Sequence, residues 1–596
     1  MDGTVYEFIH PALERWRQGT TDNALSEKWE SILKNDPNGT SIVMTIELLL
    51  GAETILRVAT QPIEVTSSST GKTYSYFGIL AEEPGISKSY QLGNSSSASR
   101  TVSLQVPNKL VDVKTLVGSG YMIAGIGEVS LQIDGGDYED RYVLIRGSSD
   151  DGVQFGVQDG EFIQISLSDP KETADLKLAP FEVDAERWPK ADDSAKGNRY
   201  PVVLNNFSKV PALLAEYDGL AFDPTYPSVP APIARYLVCI GHAVTIESAS
   251  AVWLDGSQEL LPPGTSPSSG VYGYVVERWV DGKGTPVTMV NMTAKVTSAA
   301  PAVYEYGTPN PDASIFVEVS NGAGVKSLIQ GIQYLLEDFT LLGREGINYK
   351  LIGKAEARLS MLAVSACINA SGTSNATNTM QFIEGELLAS FPMVSMVWYN
   401  GKYGPVVTDR RNTAFAGDFT VGAYPLYDRI SDVQESPKSA CLNSFTLRYG
   451  YDPLEDNYTK SKTLDYTNSA LCQLSYMQTG SRVSSPIDSM VIQDNSVAAF
   501  VLEWMVDHLS FPSYYVEYSG SVWMYFNLDL GDNIKLTDPE FEWSQEVATV
   551  EKLEYSRGMC TVGLRVWWRY CDLSGATSTL FSFETPTPYE VVEPSQ

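Results

Sequence analysis

Along most of this chain, apolar and polar positions alternate with the two-residue period of a strand, and only a few stretches switch to the period of a helix. Val102, Leu104 and Val106 alternate with polar residues, the pattern of a half-buried strand. Residues 140–147 and 162–170 predict two more strands, each running into a loop. Hairpin turns are signalled at Asp134-Gly135-Gly136-Asp137, Asp159-Gly160, Leu254-Asp255-Gly256-Ser257 and 280–284. The sharpest such signal is Asn400-Gly401, flanked by apolar runs at 394–399 and 402–407, because both central residues of a type I′ turn need positive φ. Helical spacing appears in Val325, Leu328, Ile329, Ile332, Leu335, Leu336 and Phe339, with a second helix expected over 354–362 and a short one over 383–390.

The most ordered stretch is 493–568. Asp494-Asn495-Ser496 is a helix cap signal, and Val497, Phe500, Val501, Trp504, Met505 and His508 then mark one helix face, which Phe511-Pro512 ends. Aromatic strands are predicted at 514–518 and 522–526. A Gly531-Asp532 turn follows, and strands at 547–553 and 561–567 complete a helix packed on a meander.

These signals predict a mainly β chain with minor α: several β-barrel or sandwich domains plus a mixed α/β insertion. Residues 1–36 read as a helical arm, with Pro11, Leu13 and Trp16 followed by Trp29, Ile32 and Leu33. Residues 37–175 read as a β domain, 176–235 as a Pro-rich extended connector and 236–310 as a second β unit. The mixed domain covers 311–420, a C-terminal β domain with one packed helix covers 421–575, and 576–596 is an extended tail. The length of 596 residues fits roughly three to five such units.

Composition agrees and narrows the function classes. Tyr (33), Trp (11), Gly (47) and Pro (32) favour strands and turns. A net charge of −31 argues against binding nucleic acid through its phosphates, though it suits a wall past which DNA slides without sticking. Met1-Asp2-Gly3-Thr4 carries no signal-peptide pattern, and no apolar run reaches the roughly 20 residues of a membrane span. The cysteines (Cys239, Cys367, Cys441, Cys472, Cys560 and Cys571) are widely spaced and read as buried thiols. A Cys560–Cys571 bridge is disfavoured in a reducing cytosol.

The search for chemistry yields no catalytic, cofactor or metal residues. His10, His242 and His508 lack any metal-ligand spacing, and His508 sits on the apolar helix face as a core residue. Ser69-Thr70-Gly71-Lys72-Thr73 imitates the end of a phosphate-binding loop, but Thr66 stands where its first Gly belongs and a strand pattern follows, so a hairpin tip is expected. Asp150-Asp151-Gly152 and the 134–137 turn lack the full calcium-loop spacing. Sequons such as Asn38-Gly39-Thr40 and Asn457-Tyr458-Thr459 are what a Ser/Thr-rich chain contains by chance. Paired carboxylates cannot be singled out among 73 acidic residues. A carbohydrate-binding or glycan-hydrolysing β protein, stacking sugars on its aromatics, is therefore the alternative reading.

The order of the motifs carries a resemblance. Arg141-Tyr142-Val143-Leu144-Ile145-Arg146-Gly147, then Phe155-Gly156 and Ser166-Leu167-Ser168-Asp169-Pro170, come first. Asn198-Arg199-Tyr200-Pro201-Val202-Val203 follows, then the Asn400-Gly401-Lys402 hairpin, the 443–449 strand, the capped helix with Ala498-Ala499, and Leu530-Gly531-Asp532. This series resembles the tail hub proteins of long-tailed bacteriophages, also called baseplate hub or tail-tip attachment proteins. It touches most of residues 100–570 and leaves 1–36 and 576–596 unmatched. The resemblance implies a structural virion protein at the tail tip, assembled in the host cytoplasm. Two barrel-like domains per subunit would let a homotrimer meet a hexameric tube ring. It further implies distal tail or tube proteins, tape-measure protein, a central spike or tip and tail fibres as partners, a part in gating DNA release, and no catalytic residue. The larger tail-tip members carry a long C-terminal fibronectin-like or fibre region that this sequence lacks, which favours a compact hub over direct receptor binding.

Overall fold

In a computed structural model, the described residues run over 315–368 and 378–556 without a break. They continue in segments between 27 and 305, and over 558–567. The predictions at Pro11, Leu13, Trp16, Asp150–Gly152, 159–160, Cys571 and 576–596 lie outside the described residues, as do the side chains of Val102, Leu104 and Val106.

The protein is mainly β with a few helices. A first sheet of nine strands has the order Ile63–Thr66, Thr73–Gly78, Thr54–Ala59, Ile42–Leu50, Ile126–Ile133, Tyr142–Ser148, Phe162–Ser168 and Thr101–Pro107, with Val153–Phe155 beside Phe162–Ser168. The Asp134–Asp137 turn connects Ile126–Ile133 to Tyr142–Ser148 through Gly135 at φ +71. The loop at 67–72 is the tip of the hairpin between Ile63–Thr66 and Thr73–Gly78. Its polar groups bond internally: Ser69 Oγ donates to Glu139 Oε1, and the Ser68 N–H donates to Glu139 Oε2 at 3.1 Å.

A second nine-stranded sheet is built around Val202–Asp218, a 17-residue strand inside the stretch expected to be a connector. The prolines suggest an extended connector packed against its neighbours through Phe181, Val202, Val203 and Leu204. Val202, Val203, Leu204, Phe207 and Val210 are buried, and the strand pairs along its length with Ala366–Ile368, Ile315–Gly322 and Ile233–Ile240. Pro211 pairs with Phe316 just beyond the register shift between Phe207 and Val210.

The third sheet has eight strands, with Asn533–Asp538, Trp543–Ser556, Met559–Trp567 and Ser513–Ser521 adjacent in that order. It curls until its Leu426–Arg429 edge meets the far side. There the Tyr518 hydroxyl donates to Asp538 Oδ2 at 2.9 Å, and Arg429 pairs with Glu540 at 3.0 Å. One of its strands comes from far away: Ile86–Ser89 pairs antiparallel with the 552–555 portion of Trp543–Ser556.

Two expectations near the C-terminus are corrected. Residues 522–526, expected as a strand, form the helix Val522–Asn527. Val522, Met524, Tyr525 and Phe526 are all buried. A strand would turn Tyr525 away from the other three, whereas a helical turn wedged between core elements buries all four. The helix Asn495–Leu509 is capped by Asp494 as expected, but it is not packed on a meander by one face. Ala498, Leu502 and Val506 are buried as well. It lies in a core shared with Leu328–Phe339, Phe445–Asp452 and Ala470–Thr479, with a buried face wider than expected and with Asn495, Ser496 and Glu503 exposed on the opposite side.

The predicted stripe forms the helix Leu328–Phe339, every apolar member of it buried, with Ser327 accepting from the Gln330 N–H as N-cap. Tyr349–Leu359 follows, and the 383–390 segment is a π turn running into a 3-10 turn. Asn400 (φ +56) and Gly401 (φ +70) join Val394–Tyr399 to Lys402–Val407, as the hairpin signal required.

Candidate functional site

Three of the motifs that carried the resemblance converge on one junction. At its centre is Lys88, on the long-range strand Ile86–Ser89 and fully buried. Its ammonium donates to Asn400 Oδ1 and lies 3.4 Å from the Tyr142 hydroxyl. The rings of Tyr399, Tyr525 and Tyr142 surround it at 4.3, 4.4 and 5.0 Å, an aromatic cage that stabilises a desolvated cation. The Asn400 amide in turn donates to Tyr142 Oη at 2.9 Å. Gly401 is needed for its positive φ and for space, since a Cβ there would come within 3.0 Å of Arg146 Cβ.

On the other side of Tyr399 lies the Gly-Asp turn. The Tyr399 hydroxyl donates to Asp529 Oδ1 at 2.8 Å. Lys350, Lys354 and Arg358 project from one face of Tyr349–Leu359 onto this turn. Lys350 pairs with Asp529 at 2.8 Å and Lys354 with Asp529 and Asp532, while Arg358 donates to the carbonyls of Val407 and Gly531 at 3.0 Å each. Burial alone would raise the Asp529 carboxyl, but Lys354 and Lys350 override it and hold it at about 2. Burial, then the Asp529 charge, pushes the Tyr399 hydroxyl well above its usual range. A third buried set flanks the junction: Glu128 accepts from Arg141 and Arg146. Burial opposes ionisation there, but the two guanidiniums hold the carboxyl at about 2.

Each of these charges is partnered within the protein, so the junction is built to hold sequence-distant segments together. The sequence pointed to Tyr142, Asn400, Gly401, Gly531 and Asp532, and the structure brings them to one place. It gave no sign of Lys88. Lys350, Lys354 and Arg358 had a signal in their i, i+4, i+8 spacing, which becomes meaningful only once their acidic partners are known.

His508 stands apart from this junction and is buried in the core. Its Nδ1 donates to the Trp504 carbonyl at 2.9 Å, its Nε2 accepts from the Arg410 N–H at 3.0 Å, and its ring stacks on Trp504. His242 contacts the Trp279 carbonyl at an exposed position. Cys239, Cys367, Cys441, Cys472 and Cys560 are buried free thiols. Among the described residues, no group of three or more His, Cys, Asp or Glu is placed to hold a metal, and no helix is long and apolar enough to cross a membrane.

A different kind of site lies on the rim of the curled third sheet. Tyr424, Ile430 and Phe541 are exposed there. Phe541 stacks on Trp543 at 5.0 Å, and the Arg429 guanidinium covers the Phe541 ring at 4.6 Å. Asp428, Asp432, Glu540 and Glu542 are exposed around them. Apolar anchors within an acidic border suit a protein partner with a basic margin.

No family model matches the chain, and no curated protein matches it. Among solved structures it is similar to the tail protein from Neisseria meningitidis MC58, at 10% identity over 62% of this chain and 96% of that one, with a TM-score of 0.24. It is similar also to prophage tail protein gp18 from Listeria monocytogenes EGD-e, at 11% identity over 64% and 97% of the two chains, with a TM-score of 0.23. A chain of the p2 virion baseplate in activated conformation aligns at 10% identity over 66% and 98%, with a TM-score of 0.17.

Proposed function

We propose that this chain is a structural protein of a phage tail: a trimeric hub at the distal end. It would join the hexameric tail tube or distal tail ring to the central tip and help to gate DNA release. The observation that carries this reading is the convergence of Tyr142, Asn400-Gly401 and Gly531-Asp532 on one internally satisfied junction. Motifs that recur in order along a family of hubs then have a physical reason to do so, since they hold one shared frame in register. The acidic, aromatic rim supplies a place for a heterologous tail partner, and tape-measure protein, spike and fibres are the further partners on this reading.

Ile430→Glu tests it. The variant puts charge at the rim without touching the junction, so it should fold as the wild type does. Introduced during phage production, it should be lost from particles that retain the wild-type chain. Equal incorporation of the variant would remove the rim from the reading. A wild-type chain absent from particles, and releasing reducing sugar from a glycan when purified, would replace the reading with the carbohydrate-active alternative.

A further inference from the structure

We infer that Lys88 and Asn400 are placed to join by an isopeptide bond, a covalent cross-link that the chain forms within itself. The two side chains meet inside the junction, the Lys88 ammonium against Asn400 Oδ1, across 312 positions of sequence. The amide carbon Cγ lies about 1.2 Å behind that oxygen, so a small turn of the Asn400 side chain presents it to Nζ. Both residues are buried, as are Tyr142, Tyr399 and Tyr525 around them. Asn400 is held from two sides, by its place at φ +56 in the hairpin tip and by its amide, which donates to Tyr142 Oη at 2.9 Å. Reacting groups fixed against each other in this way reach effective concentrations of about 10⁵–10⁸ M.

Tyr142 distinguishes this arrangement from a simple cage for a cation. Its hydroxyl lies 3.4 Å from Lys88 Nζ and 2.9 Å from Asn400 Nδ2, so it touches both the nitrogen that attacks and the nitrogen that leaves. A cage needs only the rings, whereas a hydroxyl shared by these two nitrogens is what a proton transfer between them needs. Burial keeps that hydroxyl protonated, raising it well above its usual range. A lysine held out of water is also the better nucleophile. The step balances without a co-reactant. Nζ gives up a proton and attacks Cγ, and the Nζ–Cγ bond forms. A second proton passes from Nζ through Tyr142 Oη to Nδ2, and the Cγ–Nδ2 bond breaks. A lysine ammonium and an asparagine amide thus become one secondary amide and one ammonium ion. The bond fastens the strand Ile86–Ser89 to the hairpin tip, in addition to its pairing with Trp543–Ser556. No substrate is turned over, so the inference does not depend on the hub reading.

The test is the intact mass of the purified full chain after denaturation, followed by peptide mapping. The wild type should be lighter than its sequence by one ammonia, and one branched peptide should contain both Lys88 and Asn400. Lys88→Arg and Asn400→Ala should each have their full sequence mass. Both should unfold at a lower temperature than the wild type, because the long loop between the two positions is no longer closed. Tyr142→Phe keeps the ring and loses the hydroxyl. In samples taken during cell-free synthesis it should acquire the cross-link at least about tenfold more slowly than the wild type, and an equal rate overturns the part given to Tyr142. A wild type at full sequence mass, with Lys88 and Asn400 recovered on separate peptides, overturns the inference whether or not the variants fold. So does a loss of ammonia confined to one unbranched peptide holding Asn400-Gly401, which is ring closure by the Gly401 backbone nitrogen.

Discussion

His508 shows how one buried side chain sets a pH limit on the whole protein. Burial holds its imidazole neutral and lowers its pKa to about 3, against the stabilising Trp504 carbonyl and the Asp409 carboxylate 3.8 Å away, with Arg410 and Arg411 opposing protonation. The folded value lies below the unfolded one near 6.5. The stability this group contributes is therefore complete above pH 6.5 and is lost as pH falls toward 3. Between pH 7 and pH 5 the loss amounts to roughly 2 kcal/mol. His508→Gln keeps an acceptor for the Arg410 N–H but takes up no proton. Denaturant titrations at the two pH values should show the variant losing about 2 kcal/mol less than the wild type over that interval, and parallel losses would mean that His508 is charged in the folded state.

The Gly-Asp turn follows a helix where a strand was expected, but its glycine is required as the sequence indicates, and the turn can be tested as a unit. Gly531 has φ +79, and a Cβ there would stand 2.6 Å from Val406 Cγ1 and 2.9 Å from the Val407 carbonyl oxygen. Gly71 has a similar φ of +67 but open space around it. Gly71→Ala should thus show the backbone strain alone, about 1–2 kcal/mol, while Gly531→Ala should add the clash for a total of about 2–5 kcal/mol. Equal losses in urea titrations would mean that the turn does not press on the hairpin. Signals of this local kind were legible throughout: the Asp494 cap, the Asn400-Gly401 turn and the 328–339 stripe each depend on neighbours a few residues apart. Three elements were not. Val522–Asn527 has the residues of a strand, and only its surroundings require a helical turn. Val202–Asp218 lies among prolines, and its partners come from 233–240, 315–322 and 366–368. Ile86–Ser89 is four residues whose partner strand lies more than four hundred positions on. No periodicity within so short a strand announces such a pairing, so the Lys88 cage was hidden with it.

That one long-range strand also ties the first sheet to the third. Ile86 and Lys88 belong by sequence to the first sheet, yet they pair into the third, and the helix Glu27–Asn35 packs against Val522–Asn527. Trp29 packs its ring 4.9 Å from Phe526 while its Nε1 donates to the Asp140 carbonyl at 2.9 Å. The buried residues of Ile42–Leu50 and Ile126–Ile133 share one continuous core with those of Ser513–Ser521, Trp543–Ser556 and Met559–Trp567. Sheets that share a core gain their burial free energy together, so neither should open without exposing the other. Trp29→Ala removes a side chain 2% exposed at the point where the two meet, at a cost of about 3–5 kcal/mol. Amide hydrogen exchange is then expected to accelerate by a similar factor in Ile42–Leu50 and in Met559–Trp567, although Trp29 belongs to neither strand. Acceleration confined to the first sheet would show that the two unfold as separate units. The strand at Ile86–Ser89 would in that case be a clasp between independent bodies, and the junction around Lys88 would hold two domains in contact without making them one.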